Sequence, residues 1–182
     1  MYIGRIISLV LTLMVYLALS AENGATSFMG IPVDGSVKSM KRSLALKGFS
    51  LTKNGGMKGV YEGVAYTLEI CTHKHKVYRI QLTECEGVTD IKTAIAKYNG
   101  LLEVYRNNPL YTEYEYNWPA LKKDEPFYED FLHQGAYYAE FFQISDPQLY
   151  SKLVNIRIVE VEDTYRIVIC FDNIFNKPNG VL

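Results

Sequence analysis

Three groups of side chains in this 182-residue chain are of types that perform chemistry at sites. The first is His73-Lys74-His75. Alternate residues of a strand share a face, so two imidazoles at this spacing are a start towards a metal centre. A zinc site wants three or four ligands, and the other candidates are Cys71 on the same strand end and His133, the remaining histidine. The pair falls at a hairpin tip, so it reads as a solvated turn and no metal ligand is assigned. The second group is Cys71, Cys85 and Cys170, none of which carries a local nucleophile signature; a Cys–His pair would have to bring one of them to His133. The third is the carboxylate run in "DEPFYED" (124–130). Glycoside hydrolysis needs two carboxylates on rigid walls about 5–9 Å apart, whereas a charge run beside a loop reads as a solvated face. There is no G-x-S-x-G and no H-E-x-x-H. No catalytic residue and no cofactor is assigned, and a small periplasmic hydrolase is the least favoured reading.

Aromatic residues are the stronger signal, with 15 tyrosines in the chain. In "LYTEYEYNW" the alternation puts Tyr114, Tyr116 and Trp118 on one strand face. Exposed, such a strip stacks on sugars or grips a protein; under helices it is core. The segment Pro119 to Gly135 interrupts the strands, and one short helix there would present Phe127 and Phe131. These five aromatics are the candidate ligand or partner surface.

The elements that must position them are legible from periodicity. "FMGIPVDGSVKSMKRSLALKGF" (28–49) reads as a short strand near 27–29, a turn and a helix from Ser36 to Lys47. Ser36 suits the N-cap, Val37, Met40 and Leu44 share a face, and Gly48-Phe49 suits a Schellman close on Leu44. Its "GIPVDGS" turn lacks the Gly-Lys-Ser/Thr ending of a P-loop, Pro32 removes a donor and Asp34 repels an anion, so it reads as a structural corner. Asp90 or Thr89 caps a second helix carrying Ile91, Ile95, Tyr98, Leu102 and Tyr105, ended by "RNNP".

Two hairpins stand out. In "AYTLEICTHKHKVYRIQLTE" a three-residue loop (73–75) sets Ile70 opposite Tyr78, Leu68 opposite Ile80 and Tyr66 opposite Leu82, with Glu69 meeting Arg79 on the other face. Cys85 then lies opposite Gly63, about 26 Å along the strand from Cys71, far beyond disulfide reach. In the last hairpin a Glu162-Asp163 turn pairs Ile158 with Ile167, Ile156 with Ile169 and Val154 with Phe171, leaving Cys170 beside Asn155 on the opposite face. Strand "AYYAEFFQI" precedes it. The fold class expected is α+β: an antiparallel sheet with two main helices packed on one face, in two loosely similar helix-plus-strands halves.

Residues 1–20 read as a secretory signal. Arg5 is followed by the apolar run Ile6–Leu19, shorter than a bilayer core requires, and Ala18-Leu19-Ser20 supplies small residues at the cut. No cysteine lies near the cut, which argues against a lipid anchor through an N-terminal cysteine. Residues 21–182 form the single domain expected, with an insertion at about 119–135 and a loose tail at about 176–182. A formal net charge of −1 supplies no field for nucleic acid.

The runs "FMGIPVDGSVKSMKRSLALKGF", "GVYEGV" and "KYNGLLEVYRNNP" resemble a family of uncharacterised secreted proteins from Bacteroidetes, over roughly the first 90 residues after the signal. The resemblance implies an exported protein, periplasmic or extracellular, and brings no activity with it. The expected function is therefore an exported, soluble, non-catalytic binding module for a protein or envelope component. A glycan-binding accessory using the aromatic strand face is the alternative.

Overall fold

The computed structural model describes residues 25–115, 138–144 and 152–178. Short strands β1 (Ser27–Phe28) and β2 (Ile31–Pro32) form a small antiparallel sheet through the Met29-Gly30 turn. Helix α1 (Val37–Leu46) follows, then β3 (Ser50–Leu51), β4 (Met57–Tyr61), β5 (Val64–His73) and β6 (Lys76–Glu84). Helix α2 (Ile91–Arg106) leads to β7 (Tyr111–Glu113), β8 (Tyr138–Gln143), β9 (Lys152–Val161) and β10 (Thr164–Asn173), closed by a 3₁₀ turn at Ile174–Asn176. Among the described residues the main sheet has eight strands in the order β3-β4-β5-β6-β10-β9-β8-β7, all antiparallel. The protein is thus mixed α+β and predominantly sheet.

The helix ends follow from the sequence. Ser36 Oγ accepts the Ser39 N–H at 3.2 Å. At the other end Gly48 has φ 93°, a conformation that carries little cost only without a Cβ. Its N–H bonds Ala45 O at 3.1 Å and the Phe49 N–H bonds Leu44 O at 3.1 Å. This is the paired closure of a Schellman motif, and Phe49 and Leu44 are both buried. The Phe49 ring then lies directly over Gly59 of β4, where a Cβ would meet it at 2.5 Å. On α2 the Asp90 carboxylate accepts from the Thr93 N–H at 2.9 Å and the Thr93 hydroxyl at 2.7 Å.

One buried cluster joins these elements. Met40 and Leu44 of α1 and Tyr98, Leu102 and Tyr105 of α2 share it with alternate strand residues such as Leu68, Ile80, Leu82, Phe141, Ile156, Ile169 and Phe171. Aromatic rings dominate: Phe28 packs on Phe49, Tyr61 and Phe171, and Tyr105 on Tyr111 and Phe141. Rings of this size bury large apolar areas and favour tilted or edge contacts.

The last hairpin has the expected register: Ile158 faces Ile167, Ile156 faces Ile169, Val154 faces Phe171 and Cys170 lies beside Asn155. The first hairpin corrects its expectation by two residues. Ile70 faces Ile80, Leu68 faces Leu82, Tyr66 faces Glu84 and Glu69 faces Gln81, so Glu69 does not meet Arg79. The loop is Lys74-His75, both at positive φ (48° and 65°), the backbone of a two-residue type I′ turn rather than a three-residue loop. A bulge between Cys71 and Thr72 accommodates the difference, since Thr72 pairs with Val77 while Cys71 pairs with Arg79. Tyr78 is thereby the extra residue, and Val77, fully buried, takes the core position expected for Tyr78.

Candidate functional site

The "GIPVDGS" corner is fastened on three sides. The Val77 N–H donates to Gly35 O at 2.9 Å, Asn173 Nδ2 donates to Val33 O at 2.9 Å, and Asn176 Nδ2 donates to both Asp34 Oδ1 (2.7 Å) and Val77 O (3.0 Å). The corner therefore docks β1–β2 and the start of α1 onto the bulged end of β6 and the turn after β10. Beside it lies a cavity of about 270 Å³, lined on its apolar side by Ile31, Pro32 and Met40 and on its polar side by Asp34, Ser39 and Ser43.

Several charged side chains of the sheet are paired. Arg79 makes two bonds to Asp172, Nε to Oδ1 at 2.6 Å and a terminal nitrogen to Oδ2 at 2.7 Å. Lys177 reaches the same Oδ2 at 3.3 Å. The Asp172 carboxylate is 1% exposed, and its hydrogen bonds to Arg79 raise that guanidinium above its ordinary value. Thr26 Oγ1 donates to the Asp172 carbonyl, which brings the first described residues into the same knot. Glu84 accepts from the Ile167 N–H at 3.1 Å and pairs with Lys97 of α2 at 2.8 Å. Arg106 binds Glu113 and Glu103.

Buried tyrosines form a second polar system. The Tyr61 and Tyr105 hydroxyls are 3.0 Å apart, and Gln143 Nε2 donates to the Tyr111 hydroxyl at 3.2 Å and to Ser27 O at 2.6 Å. Desolvation raises Tyr61, Tyr66, Tyr98 and Tyr105 above the usual phenol range. The Tyr98 hydroxyl is buried with no hydrogen-bond partner among the described residues.

His73 pairs with Lys76 and His75 occupies the second turn position. Among the described residues no three His, Cys, Asp or Glu side chains are grouped to hold a metal. All three cysteines are free. Cys85 donates its N–H to Ala65 O, near the opposite end of β5 from Cys71, which corrects the Gly63 partner expected from the unshifted register. Burial pushes the Cys170 thiol up to about 11 and also raises Cys71, the opposite of what an activated thiolate requires.

Of the five aromatic candidates, Tyr114 is described. It is half-buried, its N–H donates to Glu140 O at 2.9 Å, and its ring meets Phe142 edge-on at 5.9 Å. Tyr111, one strand position off the proposed strip, is the ring that joins the helix-side cluster. Tyr116, Trp118, Phe127 and Phe131, together with His133 and the 124–130 carboxylates, lie outside the described residues. Sequence reasoning did not find the corner cavity. Its lining residues are far apart in type, and only the folding of β2 against α1 makes them one surface.

Together these features define a mixed α+β protein on an antiparallel sheet, with an ion-paired sheet and a small cavity at one corner. No protein-family model matches the chain, and no curated protein or solved structure matches it.

Proposed function

We propose that the protein is an exported, non-catalytic interaction module that recognises a protein or envelope component through a face of its sheet. On this reading both helices cover one sheet face, and each half of the chain, a helix followed by a four-strand meander, repeats the same plan, with β6 and β10 meeting at the centre. The signal reading of residues 1–20 and the resemblance to secreted Bacteroidetes proteins are part of the proposal. Supporting the non-catalytic reading, the buried carboxylates Asp172 and Glu84 are bound to cations of the fold itself.

The observation that carries the reading is an open strip on β4 and β5. Lys58, Val60, Ala65, Thr67 and Glu69 share one face, opposite buried Met57, Tyr66 and Leu68, and all five are exposed, Val60 at 60%. Val60, Ala65 and Thr67, small or β-branched, make the middle of this strip flat, with Lys58 and Glu69 as charged flanks, an apolar centre and polar rim that a protein surface can cover. The test is capture from the producing organism's envelope extract. A single stoichiometric protein should be recovered by the native chain and lost with Val60→Glu/Thr67→Arg at unchanged melting temperature. Capture that survives this pair overturns the assignment of the face.

A further inference from the structure

The corner cavity has a chemistry of its own. Its lining residues include buried Ile31 and Met40, with Pro32, and a carboxylate, Asp34, held in a set orientation. Asp34 Oδ1 accepts from the Gly35 N–H at 2.6 Å and from Asn176 Nδ2 at 2.7 Å. Among the described residues Oδ2 accepts no hydrogen bond, so one oxygen of a fixed carboxylate remains for a ligand. The basic residues of α1 do not line the cavity, and one of them, Lys41, bonds Gly55 O at 2.6 Å.

This lining selects among ligand classes. Among the described residues it contains no basic side chain to hold an anion and no aromatic ring on which a sugar would stack. The first-turn N–H of Ser39, which would favour an anion, is already given to Ser36 Oγ. A guanidinium seeks two parallel acceptors, but Asp34 offers one free oxygen. An aliphatic stem with a compact ammonium head satisfies both the apolar and the acidic side. We propose that the corner cavity takes a lysine side chain of the partner, its methylenes against Ile31, Pro32 and Met40 and its ammonium on Asp34 Oδ2, with Ser39 and Ser43 beside the entry. The proposal rests on the interaction-module reading for the source of the lysine, but the cavity can be probed without the partner.

The probe is Nα-acetyl-lysine amide, titrated into the full exported chain while the Met40 methyl and Ser39 amide signals are followed by NMR. Saturable shifts at both are expected, with Nα-acetyl-norleucine amide, which keeps the stem and lacks the charge, binding about tenfold more weakly. Asp34→Asn keeps an Oδ1 acceptor for Gly35 and Asn176 and should weaken the lysine probe by about the same factor. Ser43→Leu, which adds bulk at a half-buried lining position of α1, should block it independently of any effect at Asp34. Equal binding of the two probes, no response of Met40, or full affinity in Asp34→Asn overturns the proposal. Envelope capture that persists while Met40 stays silent removes the lysine site and leaves the module. Lysine binding that persists while capture fails keeps the site and removes the module.

Discussion

The hairpins β5–β6 and β9–β10 are written in the same alternation and turn through the same backbone geometry, yet only the second is regular. β9–β10 runs without interruption from Thr164 opposite Val161 to Asn173 opposite Lys152. Its Glu162-Asp163 turn has φ 50° and 57°. β5–β6 turns through Lys74-His75 and then slips at Cys71/Thr72. The difference lies in what each hairpin touches near its turn. On β6 the corner takes the Val77 N–H and Asn176 takes the Val77 carbonyl, which rotates Val77 into the core and leaves Tyr78 as the bulged residue. A bulge re-aims the strand beyond it; here it sets Arg79 opposite Asp172.

That comparison can be broken most severely at Asp172. Asp172→Ala leaves Arg79 without its carboxylate in a largely buried place, and removing one partner of a buried pair costs about 3–5 kcal/mol. Urea unfolding should show that loss, while Arg79→Leu/Asp172→Leu should recover most of it. A loss below about 1 kcal/mol would mean that the pair behaves as an exposed one.

Core truncation compares the hairpins directly. Leu68→Ala in the first and Ile169→Ala in the second remove fully buried side chains, and each should cost about 2–5 kcal/mol. Both should shift one common unfolding transition, because β6 and β10 pair at the sheet centre; two separated transitions would show that the halves unfold independently.

Turn replacement acts in the other direction. All four turn residues hold positive φ without being glycine, so Asn-Gly in place of Glu162-Asp163 should stabilise by about 1 kcal/mol. The same change at Lys74-His75 should give a similar gain if the bulge is imposed from the corner. If the bulge is imposed by the turn, the gain disappears and Val77 becomes accessible to hydrogen exchange.

The caps give the smallest effects. Ser36→Ala should cost about 1 kcal/mol in thermal or urea unfolding. Asp90 is held below the usual carboxylate range, first by the Thr93 hydroxyl and then by the Thr93 N–H. A depressed folded value stabilises above the unfolded carboxylate pKa, and that contribution is lost as pH falls below about 4. Asp90→Asn should therefore lower stability slightly at neutral pH and flatten the acid limb, so that the native and variant profiles converge as pH falls.

Much of this molecule was decided locally. The Ser36 cap, the Gly48-Phe49 closure on Leu44, the Asp90 cap and the pairing of β9 with β10 each depend on residues near one another in the chain, so residue type and period 2 or 3.6 suffice to read them. Apolar alternation likewise determined which face of β5 is buried, because a shift by two residues preserves every inward position. It could not determine which of two such registers is used. That choice came from the corner and the Asn176 turn, roughly 40 and 100 residues away in sequence from Val77, contacts whose strength appears only once the sheet is assembled. The Arg79–Asp172–Lys177 pairing and the cavity between β2 and α1 have the same origin: each joins side chains that no periodicity relates, and tertiary packing alone makes them neighbours.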